Sequence, residues 1–390
     1  MNVEYVNFDL FIEHSEEGYW TRVLDSLYGQ TLAPFTLPFA KRQLDQFNAL
    51  IAEPMANDPQ RIAPKVQAIQ EFGSKLFDAV FHKDVYSTYA SSLNLAFQDR
   101  KRLRLRLRMS ELPDLVRLPW EYLYDTRRQE FLALSIQTPI VRYVDLMHRV
   151  LPLAVDLPLR VLVVISSPDG WPTLNVENEW LTLIDSVDFL GKERRMVFEE
   201  LHHPTLLDLQ RKLRQGEYHI LHFIGHSEFD TQAQDGVLIF EDEQGRPRPV
   251  TGQHFGRMLR DHYPMRLLVL HACKGARGGV LNPYAGVAQS VVLRGMSAVV
   301  AMQYEVTTNA SQTFAREFYA AIADGHAVDV AMVNVRKAML AAEAGVEWGT
   351  PVLFMRTNDG QLFEQKTSET PSTRPLSTTP GRRYPISNHR

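Results

Sequence analysis

Cysteine is almost missing from this chain: Cys273 is the only one in 390 residues. A single thiol excludes an intrachain disulfide framework and a zinc site built on several cysteines. Long apolar runs are missing as well, and none approaches the roughly 20 residues that span a bilayer. The start, MNVEYVNFDLFIEH, is acidic and has no basic region before an apolar core, so no signal peptide is expected. There is no excess of positive charge either. A net charge of −4 offers no general attraction to nucleic acid or to anionic membranes. Neither G-x-G-x-x-G nor a Walker loop occurs, which removes the common nucleotide-binding signatures. These absences point to a soluble, cytoplasmic protein with no cofactor, no direct nucleic-acid partner and no membrane.

What is present divides the chain into three zones. Residues 366–390 are rich in Ser, Thr and Pro with almost no large apolar side chain, a composition expected of a disordered tail. Residues 1–151 read as an α+β part. VEYVNFDLFI alternates like a strand, and Val66, Ile69, Phe72, Leu76 and Val80 recur at helical spacing. In KRLRLRLRM, period two sets Leu103, Leu105 and Leu107 on one face and Arg102, Arg104, Arg106 and Arg108 on the other. The expectation is a half-buried strand with a solvated basic face. Trp120, Tyr122 and Tyr124 in LPWEYLYD suggest packing between this part and the next.

Residues 152–365 alternate strand and helix. RVLVVIS, MVFEEL, YHILHFIGH, RLLVLHAC, SAVVAM and PVLFM read as strands, with helices over Glu177–Leu190, after Thr205, near Phe255–Arg260, in YAGVAQSVVLR, and over Asn309–Ala323 and His326–Ala342. GVLIFEDEQGRPRPV reads as a hairpin. The fold class expected is α/β: a mainly parallel sheet of about six strands, flanked by helices. Working groups in such sheets lie at the carboxyl ends of strands.

Two strands end in reactive residues. LHFIGHSEFD carries His226, and LLVLHACKGA carries Cys273, 47 positions later. That interval holds a hairpin, a helix and a return strand, so both side chains would leave the sheet at one edge. A thiol at a turn with an imidazole partner is set up as a nucleophile. A metal enzyme built on His222, His226, His271 and Cys273 is the competing chemistry. It lacks H-E-x-x-H and a second cysteine.

An apolar strand ending in His, followed by one ending Ala-Cys, resembles the caspase-like cysteine peptidases of clan CD. The blocks LRLRLRMSELPDLVRLPWEYLYD, LRVLVVISSPDG, YHILHFIGHSEFD, DGVLIFEDEQGR, GVAQSVVLRGMSAVVAMQYEV, FAREFYAAIADG and WGTPVLFM together resemble the bacterial CHAT domain. The resemblance implies a caspase-like fold and a cysteine endopeptidase acting on protein substrates. Cys273 would be the nucleophile and His226 its proton-transfer partner. The backbone N–H groups of Ser227 and Cys273 would form the oxyanion hole. Ser227 stands where the family usually has Gly. His271, two before the nucleophile, stands at a specificity-pocket position. Acidic candidates for a basic P1 side chain are Glu305, Asp230 and Asp235; the alternative is a pocket shaped by His271 that reads no charge. The resemblance also implies latency until an activating protein partner, a ligand or an upstream protease acts, as in bacterial defence or regulated proteolysis. The competing class is a catalytically silent caspase-fold scaffold. The loop CKGARGGVLNPYAG and FDTQAQDG are the candidate regulatory segments.

Overall fold

The alternating segment near the start forms β1 (Tyr5–Ser15), which turns back through β2 (Gly18–Asp25) and β3 (Thr31–Phe35) as an antiparallel meander. The structure, a computed structural model, describes residues 4–16, 18–52, 59–109, 112–146, 150–202, 204–272, 283–342 and 345–366. Helices α1 (Lys41–Ala52), α2 (Pro59–Val80) and α3 (Asp84–Gln98) follow the meander. Then come β4 (Arg102–Arg108), α4 (Pro113–Val116), a tight turn at Trp120–Tyr122, the short pair β5 (Tyr124–Asp125) and β6 (Glu130–Phe131), and β7 (Ile140–Tyr143).

Beyond them lie β8 (Leu153–Val155), β9 (Leu159–Ile165), α5 (Val176–Lys192), β10 (Met196–Glu200), α6 (Leu206–Gln215) and β11 (Ile220–Asp230). The hairpin β12 (Asp235–Glu241) and β13 (Pro247–Thr251) leads through α7 (Gly252–Leu259) to β14 (Leu267–Ala272). The described residues finish with α8 (Pro283–Leu293), β15 (Ala298–Met302), α9 (Thr308–Ala323), α10 (Val328–Ala341), β16 (Pro351–Met355) and β17 (Phe363–Gln365). Side-chain caps start several of these helices. Asn175, Thr205, Thr251 and Thr307 each accept a bond from the backbone N–H three residues on, satisfying a donor that the helix leaves free.

The six strands expected from the apolar runs line up in the order β10-β9-β11-β14-β15-β16. The first five run parallel and β16 runs antiparallel to β15. Their near-continuous apolar character follows from burial on both faces: Val161 to Ile165 are all buried. The sheet then continues into the first 151 residues. β16 pairs with β7 in parallel, β7 with β4 and β4 with β1. Tyr122 adds to the joint, donating its hydroxyl to the Val346 carbonyl at 2.8 Å and standing edge-on to Trp348.

That continuity corrects the expectation for the arginine stripe. β4 lies inside the sheet, between β1 and β7, and Arg104 and Arg106 are 1% and 6% exposed. A buried guanidinium needs a counter-charge and partners for its N–H groups. Arg104 Nε donates to Asp329 at 2.6 Å, and its other nitrogens reach the Asn358 and Asp359 carbonyls, both at 2.9 Å. Arg106 forms a two-point pair with Asp9 and stacks over the Tyr143 ring at 4.1 Å. Arg108 bridges Asp9 and Asp145 at the rim of the stripe.

Candidate active site

His226 sits where β11 changes partners. Up to Gly225 the strand pairs in parallel with β14, and from His226 onward it pairs antiparallel with β12. The strand therefore does not stop at the histidine, as its sequence suggests, but bends into the hairpin. Gly225 permits the crowding: a Cβ there would lie 2.8 Å from the Phe223 ring and 3.3 Å from the Ser166 carbonyl.

The imidazole is buried, and its Nε2 lies 2.8 Å from the carbonyl oxygen of Pro172. A carbonyl can only accept, so the proton resides on Nε2 and Nδ1 keeps its lone pair. Nδ1 is itself buried with no hydrogen-bond partner among the described residues. Trp171 covers the ring at 5.3 Å between centroids. Burial pushes the His226 pKa below its ordinary value, with the Pro172 carbonyl opposing that shift.

The loop between β9 and α5 supplies these contacts and is itself pinned by the hairpin. Ser167 N–H donates to Glu241 at 2.7 Å, and Asp169 N–H donates to the Gly245 carbonyl at 2.9 Å. The segment SSPDGWPTLN thus orients the histidine through a main-chain carbonyl. Residue-type reasoning missed Pro172 because any residue could supply that group; the Pro- and Gly-rich turn after a buried strand is the one available signal.

On β14 the last described pair is Ala272 with Gly225, so the next residue on each chain is Cys273 and His226. Cys273 itself lies outside the described residues, as do Lys274 and Arg277 of its loop. Ser227 is buried and follows His226 in β11, paired with Leu238. His271 shares the inner face with Ile224 and His222 below the sheet edge. Its Nε2 lies 3.2 Å from Ser311 Oγ, and its ring stacks on His222 at 5.8 Å. His222 Nδ1 meets the Tyr319 hydroxyl at 2.8 Å.

The acidic candidates are scattered. Both Asp235 oxygens are engaged, one by Gln253 N–H at 2.8 Å and one by Ser290 Oγ at 2.7 Å. Asp230 accepts the Gln232 and Ala233 N–H groups and so closes the β11–β12 turn. Glu305 is half-exposed on the segment between β15 and α9. No group of three or more His, Cys, Asp or Glu residues able to hold a metal occurs among the described residues. None of the helices among those residues is long and apolar enough to cross a membrane.

Comparison with known families decides the assignment, because the CHAT domain model matches residues 70–377. The chain belongs to the CHAT domain family. Among its described residues this CHAT chain has an α/β fold, a mainly parallel sheet flanked by helices. It is similar to the separase of the Saccharomyces cerevisiae separase–securin complex at 12% identity, covering 81% of this chain and 22% of that one, with a TM-score of 0.39. This CHAT chain therefore spans about a fifth of that separase chain. It is also similar to gingipain R, an Arg-specific cysteine proteinase, at 12% identity over 83% of this chain and 75% of that one, with a TM-score of 0.43. Similarity to the Porphyromonas gingivalis RgpB pro- and mature-domain complex is 11% in identity, over 83% and 76% of the two chains, with a TM-score of 0.39. No curated protein matches the CHAT chain.

The paired histidines give the fold a defined acid sensitivity. Burial pushes His271 down from 6.5 to about 4, and burial with the neighbouring His271 pushes His222 well below its ordinary value. Unfolded, both would protonate near pH 6.5; folded, they stay neutral. The unfolded chain then binds more protons as pH falls from about 6.5 toward 4, so stability is lost across that window. At about 1.4 kcal/mol per pKa unit, His271 alone accounts for about 3 kcal/mol. Urea midpoints between pH 7 and 4 are expected to fall less steeply in His271→Gln than in the parent protein.

Proposed function

We propose that this protein is a cysteine endopeptidase in which Cys273 is the nucleophile and His226 the proton-transfer group. The observation that carries this reading is the buried Nδ1 of His226, which has no hydrogen-bond partner among the described residues, with its tautomer fixed by Pro172. It stands one residue beyond the last described pair with the strand that leads into Cys273. Leaving a nitrogen lone pair out of water costs stability, and such a lone pair is available to take a proton from a group within hydrogen-bond reach.

In the reaction, Nδ1 takes the proton from the Cys273 thiol as sulfur attacks the scissile carbonyl carbon. The Nε2–H bond to Pro172 steadies the imidazolium that results. The carbonyl oxygen becomes an oxyanion facing the N–H groups of Ser227 and Cys273. Collapse of that intermediate breaks the C–N bond, and Nδ1–H protonates the departing amine. Water, deprotonated by the same nitrogen, then adds to the thioester, and the acid is released as the thiol is restored. Protein substrates, activation by a partner or upstream protease, and a cytoplasmic, bacterial setting complete the proposal.

The single cysteine makes a direct test simple, because alkylation by iodoacetamide reports on one thiol. Mass spectrometry is expected to show Cys273 reacting at pH 7 about 10-fold faster than in His226→Ala, whose thiol lacks its base. Equal rates in the two proteins would overturn the pairing.

A further inference from the structure

The sheet edge opposite His226 carries a group of arginines that the fold does not neutralise. The stretch Gly252–Arg266 holds Arg257, Arg260 and Arg266 against one acid, Asp261. Arg294, which follows α8, packs against Gly256 of α7, where a Cβ would lie 2.9 Å from its side chain. None of these four arginines forms an ion pair among the described residues. Elsewhere the chain pairs arginines that lie out of water. Arg104, Arg106, Arg108 and Arg142 each meet a carboxylate.

Arg266 directly precedes β14, and its carbonyl accepts the Ala298 N–H of β15 at 3.1 Å. The Ser297 carbonyl in turn accepts the Arg356 N–H at the end of β16, also at 3.1 Å. Arg266, Ser297 and Arg356 therefore stand side by side on three neighbouring strands, and the pleat turns such a row to one face. Ser297 is 1% exposed, and its Oγ has no hydrogen-bond partner among the described residues; neither has Arg266 Nε. Tyr263 holds the Arg266 guanidinium over its ring at 4.3 Å. Arg356 donates Nη1 to the Gly295 carbonyl at 3.1 Å. A Cβ at Gly295 would lie 3.7 Å from that nitrogen and 4.0 Å from Arg260 Cγ, so the glycine leaves the space between the two arginines without a side chain. Burial lowers the Arg356 pKa, Tyr143 opposes the shift and the Arg266 charge adds to it. Like charges lie close together here.

We propose that this row binds a phosphate group, with Arg266 and Ser297 as its direct donors and Arg260 at the rim. Guanidinium forks match phosphate oxygens in two-point contacts, and a hydroxyl supplies a further donor. A phosphate dianion suits the place better than a carboxylate, because it carries more charge and a third acceptor oxygen for Ser297. It also offsets the repulsion between Arg266 and Arg356. The net charge of −4 gives the surface as a whole no attraction for anions, so the affinity is local. The site lies across the sheet from His226 and uses nothing of Cys273. It stands whether or not the chain is a peptidase.

The test titrates inorganic phosphate into the full chain at about pH 8, where it is mainly a dianion, at fixed ionic strength and by calorimetry. Saturable binding is expected. Arg266→Gln is expected to raise Kd about 10-fold or more and Ser297→Ala about 3-fold, the sizes of a charge-assisted and a neutral hydrogen bond. Arg260→Gln changes an exposed side chain and is expected to raise Kd about 3-fold. Arg211→Gln breaks only the exposed pair with Asp208 and is expected to leave Kd unchanged, a control for general charge. Acetate is expected to bind at least about 10-fold more weakly than phosphate. Adenosine monophosphate distinguishes the source of the group. A lower Kd than that of inorganic phosphate points to a nucleotide and an equal or higher one to free phosphate, and either upholds the site. Absence of saturable binding, an acetate Kd equal to that of phosphate, or a Kd untouched by both Arg266→Gln and Arg260→Gln overturns the proposal. Melting temperatures equal to the parent's exclude loss of folding as the cause.

Discussion

Replacing Cys273 by alanine is expected to abolish cleavage of any peptide while leaving the melting temperature nearly unchanged. The thiol is small, so the packing loss is about 1 kcal/mol or less on the methylene scale. The activity loss is of another order. Removing the nucleophile of a unit that acts together costs on the order of 10⁴-fold or more, and His226→Ala is expected to be comparably inactive. Incubation with a pool of short peptides, scored by mass spectrometry for the residue before each cut, measures both variants and the P1 preference at once. Cleavage that persists in a folded Cys273→Ala protein would end the nucleophile assignment. The same assay on Glu305→Gln separates a charge-reading pocket from one shaped by His271. A P1 profile unchanged by that substitution turns the search to the other candidates.

Asp9→Ala is expected to be the most destabilising single change outside the apolar core. It leaves Arg106, 6% exposed, with no counter-charge, and weakens the anchoring of Arg108. Breaking a buried pair from one side costs about 3–5 kcal/mol, because the remaining charge cannot regain water. Replacing both partners, as in Asp9→Leu with Arg106→Met, is expected to cost clearly less, since no charge is stranded. Urea denaturation of the three proteins measures the difference. A solvated arginine face would instead give changes within about 0.5 kcal/mol for Asp9→Ala.

The arginine stripe also marks where sequence reasoning stops. Period two in KRLRLRLRM specified a strand and its two faces correctly, because side-chain alternation is a local property of extended backbone. Whether the basic face meets water depends on what covers it. Here the cover comes from Asp9 on β1, Asp329 on α10 and the Asn358–Asp359 turn. No local pattern reports a partner more than 200 positions away.

The same division runs through the candidate site. Apolar runs and helical spacing determined six strands in one sheet and the helices between them, since each depends on neighbours within a few residues. Tertiary structure decided the rest. It joined residues 1–151 to the same sheet through β16 and β7, tied Asp235 to α7 and α8, and set the Pro172 carbonyl against His226. These are contacts between segments that packing brings together. A main-chain carbonyl, a buried counter-ion or a strand added across a sheet edge carries no residue type that a linear reading could recognise.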